Sequence, residues 1–213
     1  MEFVWQATAR PSRLGVLPGT FNPVTVAHVA LAEAALQCCD EVLFVLPRVF
    51  PHKTYSGASF EQRLELLNRA LRSNEKVSLA VAEAGLFVDI ADECREVYGR
   101  QVRLSFLCGR DAAERIASWD YGSPDAFSSM LCKFYILVAC RNGEYTAPPE
   151  CSGGIQRLEL ANGYDHVSAT EVRERLAQGT PWEHLVPAEI QRSVDSGSRA
   201  QRAGREECVD ATL

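Results

Sequence analysis

A chain of 213 residues, 46% hydrophobic and 23% charged, has the length and composition of a soluble globular protein with one large core. Its formal net charge of −6 argues against a nucleic-acid or anionic-membrane partner. Any anion it binds must therefore be held locally, by a few positioned cations and backbone N–H groups.

The first element in chain order, RLGVLPG from Arg13, is a short apolar run closed by Pro-Gly and reads as a buried strand. A helix is expected from Thr25 to Gln37. EVLFVLP holds a continuous apolar run of strand length, the pattern of a parallel strand covered on both faces, and the loop RVFPHKTYSGA follows it. Ser59 opens the next helix with Gln62 three residues on, a capping box, and Phe60, Leu64, Leu67 and Leu71 form its apolar stripe. KVSLAVAEA is a third strand, and DIADECREVYG is a helix ended by Gly99. VRLSFLCG is a fourth strand, with a helix from Asp111 to Ala117 behind it. The turn-rich WDYGSPDAF leads to a fifth strand, CKFYILVAC, and IQRLEL is a sixth. Two further capping boxes, Ser168 with Glu171 and Thr180 with Glu183, start two closing helices, the second with Pro181 at its first position. From Asp195 the chain is polar and aperiodic, so residues 1–194 read as a single domain and 195–213 as a disordered tail.

Alternating strands and helices with buried-type strands predict an α/β fold, a Rossmann-like doubly wound parallel sheet with a C-terminal helical segment. In such sheets ligands lie beyond the carboxyl ends of the strands, where the strand order switches. The runs LPGTFNP, LPRVFPHK and LCGRD all fall at such ends. The eight cysteines lack disulfide or zinc spacing: Cys38 and Cys39 are adjacent on a helix, and Cys108, Cys132 and Cys140 lie in apolar runs. With no signal-peptide core at the N-terminus and no run of membrane-spanning length, the expected location is the cytoplasm.

The stretch GTFNPVTVAH carries the most chemical information. Gly19 lets the backbone turn tightly, and Pro23 leads into a helix whose first N–H groups favour an anion. Thr25 and His28 share one face of that first turn and can offer a hydroxyl and an imidazole to a phosphate oxygen. Alone, the pattern fits a capped core helix as well as a phosphate site.

The run resembles the signature G-[T/S]-F-[D/N]-P-x-[H/T]-x-x-H of the nucleotidyltransferase superfamily, with Thr25 at the first histidine position and Ala27 at the glycine. LPRVFPHK is similar to the Pro-His-Lys loop of nicotinate-nucleotide adenylyltransferases, and FLCGRD followed by Ser118-Trp119 to their Gly-Ala/Ser-Asp element. VSATEVRERLAQGTPWEHLVPAEI is similar to their closing segment, and the four matches come in the family's order.

The resemblance implies transfer of AMP from ATP to nicotinate or nicotinamide mononucleotide, with pyrophosphate released. It implies catalytic roles for Thr25, His28, Lys53 and Arg173, and ATP contacts from Gly19, Thr20, Phe21, Asn22, His28, Gly109, Asp111, Ser168, Thr170 and Arg173. His52, Lys53, Asp89, Arg110 and Trp119 would meet the acceptor, and Mg²⁺ would be held through phosphates, not by protein ligands. The acceptor element is eroded: FVDIA keeps Asp89 but lacks the family's threonines. The alternatives are an adenylyl- or cytidylyltransferase acting on another phosphorylated acceptor, such as phosphopantetheine, and a nucleotide-binding module without activity. The partners implied are ATP and a phosphorylated small molecule, with a homo-oligomer left open.

Overall fold

A strand buried along its whole length needs both faces of its sheet covered, and two neighbouring strands, Glu41–Pro47 and Val77–Ala82, are buried at every position. The structure is a computed structural model that describes residues 1–7, 10–49, 57–118, 126–139, 145–147, 151, 153–161, 163–164 and 166–195. In chain order the elements are β1 (Glu2–Trp5), β2 (Arg13–Pro18), α1 (Val26–Ala35), β3 (Glu41–Pro47), α2 (Phe60–Leu71), β4 (Val77–Ala82) and α3 (Phe87–Tyr98). They continue as β5 (Arg103–Gly109), α4 (Arg110–Ser118), α5 (Ala126–Leu131), β6 (Tyr135–Ala139), β7 (Ile155–Leu158) and α6 (Ala169–Gln178). Two 3₁₀ turns, Glu183–Leu185 and Ala188–Ile190, follow.

The strands form one seven-stranded sheet in the order β1-β4-β3-β2-β5-β6-β7, parallel except for β1. Alternation along each strand sorts its side chains onto two faces. Leu17, Phe44, Leu46, Leu79 and Leu107 pack on one side with α1, α2 and the C-terminal turns. Val16, Leu43, Val45, Ala80 and Phe106 pack on the other with α3, α4 and α5. The chain winds outward from β2 in both directions, so the order switches between β2 and β5. This is the doubly wound α/β sheet that the sequence predicts.

Several local expectations need correction. β1 was not anticipated; it pairs antiparallel with β4, Phe3 opposite Ala80, with a register shift before Trp5. α5 replaces the end of the expected turn-rich stretch, and it delays the fifth strand to Tyr135, because the Lys133 and Phe134 N–H groups bond back to Met130. The second C-terminal capping box does not form. Gly179 ends α6 in the left-handed region at φ 70°, and the Thr180 N–H donates to the Arg175 carbonyl at 3.0 Å. Trp182 is drawn into the core, and Glu183 accepts its N–H at 3.0 Å, so a 3₁₀ turn forms in place of a helix. Apart from Asp195, the expected tail lies outside the described residues.

Candidate active site

The switch point lies where β2 ends in Pro18 and its parallel neighbour β5 ends in Gly109, the place where sheets of this kind bind ligands. After β2 the backbone is pinned at once, since the Gly19 N–H donates to the Val45 carbonyl at 3.1 Å. A Cβ on Gly19 would meet the Phe21 ring at 3.0–3.2 Å, so the glycine allows that ring to fold under the turn. Phe21 is buried, 5.6 Å from Phe44 and edge-on to His28 at 5.2 Å. Its backbone sits at φ 46°, in the left-handed region. A bulky residue there carries strain of about 1–3 kcal/mol, sustained only when neighbours over-determine it.

α1 begins just beyond, with Thr25 in extended backbone as its N-cap. The Thr25 N–H donates to His28 Nδ1 at 3.0 Å, and Thr25 Oγ1 lies 2.8 Å from the same nitrogen. A neutral imidazole that accepts at Nδ1 carries its proton on Nε2, so the cap fixes which nitrogen can donate onward. His28 is half-buried, whereas Thr25 is wholly enclosed. The hydroxyl expected at a phosphate is thus turned toward the histidine.

α6 contributes the next group. Ser168 caps it by accepting the Glu171 N–H at 3.0 Å, the serine half of the expected box, while the Glu171 carboxylate accepts from Arg175 at 2.5 Å. Arg173, exposed, donates to the Thr170 hydroxyl at 3.0 Å, to the Ala169 carbonyl at 3.0 Å and to the Asn22 carbonyl at 2.7 Å. The C-terminal motif is therefore joined to the first loop across 151 residues of sequence. Gly57, at φ 139°, lies against Asn22, where a Cβ would come within 2.3 Å of the Asn22 side-chain amide nitrogen.

At the end of β5, Gly109 runs directly into α4, with Arg110 and Asp111 on its first turn. Arg110 Nε lies 3.7 Å from Asp111 and 3.6 Å from Glu114, so two carboxylates offset its charge. Asp89 is half-buried in the first turn of α3, beyond the end of β4. His52, Lys53 and Trp119 lie outside the described residues. Among the described residues no three His, Cys, Asp or Glu side chains cluster as metal ligands.

One buried cation escaped the sequence reading. Arg63 of α2 is only 4% exposed and donates from Nη1 to the Thr20 carbonyl at 2.9 Å. A signal existed, for position 63 falls on the helical stripe between Phe60 and Leu67, where a charge needs a partner.

A family model described as cytidylyltransferase-like matches residues 16–175. Two relatives carry the name "Probable nicotinate-nucleotide adenylyltransferase". The one from Chromohalobacter salexigens is 32% identical, over 88% of this chain and 95% of its own. The one from Halalkalibacterium halodurans is 29% identical, over 85% of this chain and 88% of its own. The fold is similar to that of Plasmodium falciparum nicotinic acid mononucleotide adenylyltransferase complexed with NaAD, at a TM-score of 0.66 and 17% identity, over 84% of this chain and 92% of that one. The chain belongs to the cytidylyltransferase-like family and, within it, to the nicotinate-nucleotide adenylyltransferases.

Proposed function

We propose that the crevice between β2 and β5 holds ATP, as its magnesium complex, against a pyridine mononucleotide, nicotinate mononucleotide first. A phosphate oxygen of the mononucleotide attacks the α-phosphorus in line. The new P–O bond forms as the bond to the β-phosphate bridging oxygen breaks, and pyrophosphate leaves with that electron pair. The nucleophile is already an anion, so no general base and no covalent enzyme intermediate are required.

What the protein supplies is placement and charge. His28 donates from Nε2 to an oxygen of the phosphoryl group in transfer, at the positive end of α1. Thr25 is its positioning residue and reaches the phosphate only through the ring. Thr20 and Asn22 present the loop backbone, and Ser168, Thr170 and Arg173 close over the outer phosphates from α6. Gly109 and Asp111 border the nucleotide, while His52, Lys53, Asp89, Arg110 and Trp119 are assigned to the acceptor side. The six free cysteines among the described residues fit a reducing compartment, and we place the protein in the cytoplasm. No helix among the described residues is long and apolar enough to cross a membrane.

The observation that carries this reading is the imidazole of His28, fixed by Thr25 at the start of α1 where the strand order switches. Pyrophosphate release tests it, with MgATP and, in turn, nicotinate mononucleotide, nicotinamide mononucleotide and phosphopantetheine, and with CTP in place of ATP. Release that requires ATP and a pyridine mononucleotide is expected. Release with phosphopantetheine alone, or ATP binding without turnover, would defeat it.

A further inference from the structure

Two arginines hold the first loop from two different helices. Arg173 of α6 bonds the Asn22 carbonyl at 2.7 Å, and Arg63 of α2 bonds the Thr20 carbonyl at 2.9 Å. Between those carbonyls lies Phe21, the one described non-glycine residue with positive φ. Their guanidinium groups differ in setting: Arg173 is exposed, while Arg63 is 4% exposed with its stem on the apolar side of α2. The Arg63 guanidinium lies 5.6 Å from the centre of the Phe60 ring, and that of Arg48 lies 5.1 Å from the same ring. A buried cation whose only function is to fill space would be better replaced by an apolar side chain of equal length. Here the charge is directed at a carbonyl of the loop that enters the site.

A trans peptide points its N–H opposite to its carbonyl, so fixing the Thr20 oxygen also fixes the direction of the Phe21 N–H, away from Arg63. A cation on the carbonyl further polarises that amide and strengthens its N–H as a donor. The Phe21 ring in turn meets His28 edge-on at 5.2 Å, so the backbone that Arg63 holds also carries the wall beside the imidazole.

We infer that Arg63 is a positioning residue for adenylyl transfer: by holding the Thr20 carbonyl it keeps Phe21 in its left-handed backbone and sets the loop and His28 for the transferred phosphate. The inference rests on the adenylyl-transfer reading above. It assigns Arg63 no contact with the nucleotide.

Arg63→Met keeps the buried stem and removes the charge, and Arg63→Lys keeps a single donor without the fork. With MgATP and nicotinate mononucleotide, Arg63→Met is expected to lower kcat about 10²-fold, the scale of a misplacement near 1 Å, with KM for the mononucleotide unchanged. Arg63→Lys is expected to recover part of that loss. Thermal melts separate this from a structural role: a lower melting temperature with wild-type kcat, measured below the transition, overturns the inference. If Arg63→Met does not fold, Arg63→Lys decides on the same criterion, reduced kcat supporting the inference and wild-type kcat overturning it. A wild-type protein inactive with both pyridine mononucleotides would overturn adenylyl transfer itself. MgATP binding by calorimetry then judges Arg63: weaker binding in Arg63→Lys supports the loop role, and unchanged binding overturns it.

Discussion

The two ends of the parallel strands handle charge in opposite ways. At the carboxyl ends, Arg63 and Arg173 bond loop carbonyls and His28 is anchored through Nδ1, so the donors converge on the backbone between Thr20 and Thr25. At the amino ends, Glu41 of β3 is 1% exposed, and its Oε1 accepts from Ser78 at 2.6 Å and from Tyr98 at 2.5 Å. The Ala7 N–H donates to Ser78 at 2.8 Å, tying the segment after β1 to the same cluster. Burial raises the Glu41 carboxyl above its ordinary range, partly opposed by those two hydroxyl donors. Its sequence neighbour Asp40 goes the other way, lowered by hydrogen bonds from the Arg13 side chain at 2.6 Å and from the Arg13 and Ser12 N–H groups. Polar groups at the amino ends thus close on one another, while those at the carboxyl ends fasten the backbone of the loop that leaves β2.

The contrast implies that changes at the carboxyl ends should cost turnover and changes at the amino ends stability. The largest effect is expected for His28→Ala, which should lower kcat about 10²–10³-fold in pyrophosphate release while ATP affinity, by calorimetry, falls far less. Thr25→Val should lower kcat about tenfold, the value of one hydrogen bond, with Thr25→Ser close to wild type. Equal kcat in the valine variant would detach the cap from the chemistry.

Glu41→Gln should leave kcat alone and change the pH dependence of unfolding. The folded state keeps a proton on Glu41 that the unfolded chain gives up, so wild-type stability falls as pH rises through the window just above the ordinary glutamate range. Urea midpoints across that window should show the fall in wild type and a flatter line in the variant. The smallest effect belongs to Asp40→Asn. Asp40 titrates below its ordinary value, so its contribution is complete above that value and disappears as pH falls, and the variant should lack that acid-side loss. The pair is exposed to solvent, so salt should shrink the difference. A Glu41 variant that altered turnover would break the distinction between the two ends.

Much of this arrangement was legible because long apolar runs such as VLFVLP admit few settings, and β3 takes in that whole run together with Glu41 before it. Ser59 and Ser168 announced the starts of α2 and α6 by local chemistry, and the structure keeps both caps. Thr180 offered the same local pattern and failed, because the burial of Trp182 decided the path of the chain. β1 is four residues long with only alternate positions partly buried, too weak a pattern to stand out. At the site, spacing put Thr25 and His28 on one face of the first turn of α1, and the resemblance to the nucleotidyltransferases implied what they do there. The direction of the Thr25 hydroxyl was not readable, nor was the reach of Arg63 to a backbone carbonyl 43 residues earlier, since both depend on three-dimensional proximity. Glu41 was hidden for the same reason: its hydroxyl partners come from β4 and α3.

The antiparallel β1 bears on what the edge of the sheet offers to other strands. Without it, β4 would present a row of open amide and carbonyl groups along Leu79–Val81, a ready template for strand-to-strand aggregation. β1 occupies that margin, and Arg48 fastens it through Glu2 at 2.9 Å while also holding Glu83 at 3.0 Å. The opposite margin is β7, only four residues long with two exposed polar side chains at its centre, a poor surface for unwanted pairing. Unwanted strand pairing is thus discouraged at one border by an added strand and at the other by brevity.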